Sequence, residues 1–154
     1  MSQTRLPEIE SALLELLKSA LAGVGDIAAL TEGDFDEDDQ IVAGTPAIRI
    51  FFRVEQLDRA HDHMALTYQS DQNWVALCGA QDQRDFGSER KGALDLASRA
   101  CNALAGARLA LADQTQGPQV VLRRVSLFQV GAEGTWYSVE FSVESITQFA
   151  GNAR

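Results

Sequence analysis

The chain has 154 residues, the length of one ordinary domain, with 45% hydrophobic and 23% charged residues, a composition that folds around one core and lies far from the signature of disorder. There are 22 acidic residues against 13 basic ones, a formal charge of −9 with no Lys/Arg cluster, and this argues against a dedicated nucleic-acid binder, because gripping a phosphate backbone takes a positive stripe. An acidic surface suits a protein that must not hold DNA, such as the lining of a conduit through which DNA slides, and is more often simply the surface of a soluble bacterial protein.

Met1 to Arg5 runs straight into a segment containing Glu8, Glu10 and Glu15, which leaves no uninterrupted apolar stretch for a signal peptide. Nothing approaches the roughly 18 apolar residues of a membrane span. The expectation is a chain made and kept in the cytoplasm, with no membrane association, unless a particle carries it out. In that compartment Cys78 and Cys101 read as buried small apolar residues rather than a disulfide.

From Pro7 to Ala22, Ile9, Leu13, Leu16, Leu17 and Ala20 recur at helical spacing opposite Glu8, Ser11, Glu15 and Lys18. This predicts an amphipathic helix with proline in its first turn and a stop at Gly23. Ile27 to Thr31 reads as a short strand. The run from Glu32 to Gln40 carries too much like charge to pack and reads as an exposed loop. After Pro46, Ile48, Ile50, Phe52 and Val54 alternate with Arg49, Arg53 and Glu55, the pattern of a half-buried strand. The polar stretch from Asp58 to His63 leads to a second β region, Met64 to Gly79, whose Trp74-Val75-Ala76-Leu77-Cys78 is apolar on both faces, as in a central strand covered on both sides.

Gln81 to Gly87 is a turn-rich polar link, and Ser88 is a suitable N-cap for a second helix. That helix gathers Ala93, Leu96, Ala97, Ala100, Cys101 and Leu104 on one face and ends near Gly106. So much alanine lets its backbone lie close against a sheet. Val120 to Val130, a turn at Gly131 to Gly134, and the alternation of Tyr137, Val139, Phe141 and Val143 with Ser138, Glu140, Ser142 and Glu144 spell a long antiparallel hairpin. The order of helix, strands, helix and hairpin implies a single α+β domain, a mostly antiparallel sheet with two helices on one face.

The sequence offers little catalytic chemistry. Asp34 to Asp39 invites a calcium reading, but Phe35 and the lack of a central glycine spoil an EF-hand loop. His61 and His63 have no third ligand at metal-binding spacing, and the cysteines sit in apolar contexts where a thiolate is poorly stabilised. GxGxxG, GxxxxGK[ST], CxxC, HExxH and GxSxG motifs are all missing. No catalytic residue, cofactor or metal is therefore expected, and Trp74, Trp136 and Tyr137 read as core or subunit-contact residues rather than a base-stacking platform.

Taken in order, the Glu/Leu-rich opening helix, the acidic loop, the strand Pro46 to Phe52, the β segment Asn73 to Arg84, the following helix and the terminal hairpin resemble the tail terminator proteins of Mu-like contractile-tailed phages. The resemblance spans nearly the whole chain and rests on layout rather than a diagnostic motif. It implies one tail-terminator-like domain over residues 1–154, an α+β subunit that forms a six-fold ring on a completed tail tube. Such a ring stops tube growth and offers a surface to the neck or head. The implied partners are copies of the chain itself, the tail tube and sheath proteins and a neck or head-completion protein, with DNA passing through unbound. The implied locations are the host bacterial cytoplasm during assembly and then the tail of a phage or prophage virion.

Ring closure needs a heterologous interface, and two regions are candidates for the subunit or tube contact. One is the outward face of the first long strand, Arg49, Phe51 and Arg53; the other is the acidic loop, Asp34, Asp36, Glu37, Asp38 and Asp39. Phe51 could equally lie beneath a helix. The competing functions are a neck or head-completion protein of the same particle and an enzyme using the His61/His63 loop.

Overall fold

The computed structural model describes residues 5–59, 67–82, 92–111, 117–131 and 134–148. Helix α1 spans Arg5–Ala20, strand β1 Ile27–Ala29, β2 Ala47–Arg59, β3 Thr67–Ala80, α2 Ala93–Leu104, β4 Gln119–Gly131 and β5 Gly134–Gln148. The strands form one five-stranded sheet in the order β1-β2-β3-β5-β4. Among the described residues only β1 and β2 pair in parallel; the other neighbours are antiparallel. The α+β architecture expected from the sequence is the one observed.

Both helices pack on one face of the sheet. In α1, Ile9, Leu13 and Leu17 are fully buried and Leu21 follows just past the helix end, a four-residue spacing that stacks side chains along one stripe. Each such burial stabilises the fold by about 1.5–3 kcal/mol. Ala20, expected on that stripe, is exposed, because the helix stops there and the turn delivers Leu21 instead. In α2, Ala93, Leu96, Ala97, Ala100 and Leu104 are buried as their spacing predicts, whereas Cys101, expected with them, is only half-buried. Gly92 is its N-cap; the expected cap Ser88 lies outside the described residues. These stripes meet Ile48, Ile50, Trp74, Ala76, Cys78, Val139, Phe141 and Val143 in the main core.

β3 and β5 occupy the middle of the sheet, and residues 74–78 of β3 are at most 3% exposed. The reading of this segment as a central strand covered on both sides is correct. The second cover is the connection between β1 and β2, which crosses the face away from the helices and is called the strap below. Under it lies a smaller cluster of Ile41, Ala43, Ala47, Val75, Leu77 and Trp136. The indole of Trp136 lies flat over Gly79, its strand partner, where an added Cβ would come within 2.3 Å of the ring. Glycine at this position makes room for the largest side chain of that cluster.

Three register shifts interrupt the ladders, one between Phe52 and Val54 in β2 and two in β4, between Leu122 and Arg124 and between Leu127 and Gln129. Such bulges insert one unpaired residue and sharpen the local twist. They also explain why β4 does not alternate cleanly in sequence. β2 continues through Asp58 and Arg59, beyond the point where the polar composition suggested a connection, because β3 supplies a partner for every one of those residues.

Candidate assembly surface

The acidic loop is exposed at Glu32, Gly33 and Asp36 to Gln40, as expected, but it is anchored to the sheet through Asp34, Phe35 and Ile41. Glu32–Asp34 forms a short 3₁₀ turn, Phe35 and Ile41 pair across a small antiparallel bridge, and Ile41 is fully buried. The reason is local: two apolar side chains flank the charged tip, and the one acid that points inward is neutralised. Asp34 is only 9% exposed and accepts from the Thr31 amide at 2.8 Å and from Arg49 Nε at 3.1 Å. Arg49 is 8% exposed and closes a bidentate pair with Asp26, both contacts at 2.9 Å. One cation thus ties the start of the strap to the turn before β1, in the planar fork geometry that suits arginine.

These contacts shift the protonation equilibria. Burial alone would raise the Asp34 pKa, but the Thr31 amide and Arg49 outweigh it and hold the carboxyl below the usual carboxylate value. The bidentate bond to Asp26 is the main cause raising Arg49 further above its already high value. The far end of the strap is fixed by Gln129 of β4, whose side chain accepts from the Ile41 amide at 2.8 Å and donates to the Ile41 carbonyl at 3.0 Å. Between these anchors the tip bearing Asp36, Glu37, Asp38 and Asp39 stays exposed. It is ordered by Asp36, whose carboxylate accepts from the amides of Asp38 and Gln40 at 2.9 Å each.

Beside the strap the same face is charged. Glu140 of β5 sits between two arginines, taking 2.6 Å contacts from Arg53 Nη1 and Arg124 Nε. Arg123 reaches Glu144 at 2.9 Å and Ser142 at 2.7 Å. Phe51, Arg53, Val75, Arg124, Phe128 and Glu140 line an open depression there. Phe51 is half-buried against the strap cluster and on the face away from the helices.

The eight residues expected at a contact surface therefore fall into two groups. Arg49 and Asp34 are buried and bonded to each other, whereas Arg53, Asp36, Glu37, Asp38 and Asp39 are exposed and Phe51 is partly so. Sequence reasoning missed Asp26, Gln129 and Glu140, which organise this face. The available signal was Arg49 itself, a cation inside an otherwise apolar strand segment that needs a buried partner.

For chemistry, the structure brings together no group of three or more His, Cys, Asp or Glu side chains able to hold a metal ion among the described residues. His61 and His63 lie outside those residues. Cys78 and Cys101 are free thiols whose pKa values are pushed up by burial, the opposite of what a reactive thiolate requires. No helix among the described residues is long and apolar enough to cross a membrane.

Among the described residues, these features define an α+β fold whose polar chemistry is spread over a sheet face and the sheet margins. The chain belongs to the Bacteriophage Mu, Gp37 family, whose model matches residues 5–146. This membership bears out the resemblance to a Mu-like phage family. Among solved structures, a chain described as "Virion of native gene transfer agent (GTA) particle" shares the fold, with a TM-score of 0.59 at 17% identity over 93% of this chain and 98% of that one. No curated protein matches the sequence.

Proposed function

We propose that this chain is a structural subunit of a phage or phage-derived particle, and specifically a tail terminator. Copies of it form a ring on the finished tail tube, stop polymerisation of the tube and sheath, and present a surface to the neck or head. Membership of the Bacteriophage Mu, Gp37 family over residues 5–146 carries this reading. The likeness in fold to a chain from a gene transfer agent virion supports it. In this reading the exposed acidic tip, Asp36 to Asp39, and the Phe51/Arg53 margin meet a neighbouring subunit or the tube, and Arg49 and Asp34 hold the strap in shape for that contact. The formal charge of −9 suits a passage through which DNA slides without binding.

Deleting the gene and measuring tail lengths by electron microscopy tests the reading. Overlong, unjoined tails are expected; tails of normal length that lack heads would assign the chain to the neck instead. Replacing His61 and His63 together with alanine is expected to leave particle yield unchanged, and loss of function with an intact fold would point to an enzyme.

A further inference from the structure

The large hydrophobic side chains left exposed among the described residues are Val54, Leu57, Val125, Leu127, Phe128 and Val130, and all lie on β2 or β4. Among the described residues both strands have an open edge there. β1 pairs with β2 only from Ile48 to Ile50, so among the described residues nothing pairs with the outer side of β2 beyond that point. Among the described residues β4 is the last strand of the sheet, and residues 106–109 cover its outer side only as far as Val120. An open strand edge with exposed apolar side chains is a template for another strand.

We propose that β4 of one copy adds, antiparallel, to the open half of β2 of the next copy, with Leu57 opposite Val125. In this register Leu57 and Val125 both point to the helix side of the sheet, since their strand partners are Ser70 and the core residue Val139. Val54 falls opposite Phe128 on the strap side. Asp58, exposed at the end of β2, falls opposite Arg124, whose side chain is 69% exposed. Apolar side chains thus meet apolar ones and an acid meets a base. The complementarity is wider than one pair, because β4 holds Arg123 and Arg124 and no acid in a chain of net charge −9. The two edges are different surfaces, so the contact is heterologous and repeats head to tail, the kind that closes a ring. The inference rests on the ring reading above and names the surfaces that make it.

The test is a cysteine pair, Leu57→Cys with Val125→Cys in a Cys101→Ser background, oxidised in concentrated protein and in purified particles. Within one chain the two positions sit on different strands with β3 and β5 between them and cannot be bridged. A ladder of covalent species, one chain at a time up to a closed ring, is expected. Monomer alone at every concentration would overturn the proposal, as would a dimer already formed by Val125→Cys alone, which would mean that β4 pairs with β4.

Charge reversal gives a second readout. Asp58→Arg, which leaves the Arg124–Glu140 pair intact, is expected to weaken self-association roughly tenfold; unchanged association contradicts the register. The two levels separate cleanly. Overlong tails on gene deletion without a ladder keep the terminator reading and sink the edge pairing, whereas a ladder with tails of normal length does the reverse.

Discussion

The two faces of the sheet are covered by different means. On one, α1 and α2 press a continuous apolar stripe onto Ile50, Trp74, Val139 and Phe141. On the other, the strap buries a small cluster around Trp136 and is pinned at its two ends by polar contacts, Arg49 to Asp34 and Asp26, and Gln129 to Ile41. Apolar packing neither titrates nor is screened by counter-ions, whereas ion pairs are subject to both. The helix face therefore holds the fold together, and the strap face is the part that solution conditions and single substitutions can reshape.

This contrast can be broken in graded steps. The largest effect is expected on the helix face: Leu17→Ala removes a fully buried side chain and should lower stability by about 2–5 kcal/mol in denaturant unfolding. Gly79→Ala tests the tightest contact under the strap. Its new methyl would collide with the Trp136 ring and should cost about 1–3 kcal/mol, with a change in tryptophan fluorescence. Asp34→Asn removes the charge that Arg49 bonds and should cost about 1–2 kcal/mol at neutral pH. Gln129→Ala loosens the far anchor, with a loss of about 1 kcal/mol and faster amide exchange at Ile41.

The pH dependence sharpens the same comparison. The native Asp34 pKa lies below its ordinary value, held there by the Thr31 amide and Arg49 against the opposing effect of burial. The unfolded chain therefore binds the proton first as pH falls, and the contribution of Asp34 is complete above the unfolded value of about 3.9 and is lost as pH drops through the native one. Unfolding curves at neutral pH and near pH 3 should show a smaller acid-induced loss in the Asp34→Asn protein than in the wild type. An equal loss would mean that the Arg49 contacts do not stabilise the strap. The Leu17→Ala protein should keep the wild-type acid dependence.

Much of the fold was legible because periodicity encodes burial. The buried stripes of α1 and α2, apart from the exposed Ala20 and the half-buried Cys101, and the alternation of β5 follow from spacing, and the central position of Trp74 to Cys78 follows from a run that is apolar on both faces. The anchoring of the strap did not: five of the six acids from Glu32 to Asp39 are exposed as their charge suggests, and nothing in their spacing marks Asp34 as the one that Arg49 holds or shows that Phe35 and Ile41 pack on the sheet. Exposure on β4 was equally hidden. Val125, Leu127 and Val130 are as apolar as the buried Val139 and Phe141, and it is the place of the second half of β4 at the sheet margin, past the part whose Val120 and Leu122 join the helix-side core, that leaves them bare. The bulges at Arg53, Arg123 and Phe128 depend on pairing partners that no single strand's sequence contains.

A cryo-electron microscopy map of the tail end of the purified particle addresses the central claim most directly. It should show this chain as a closed ring seated on the last layer of the tube, each β4 lying beside β2 of the neighbouring copy. A tail end built without this chain, or copies touching only through their helices, would contradict it.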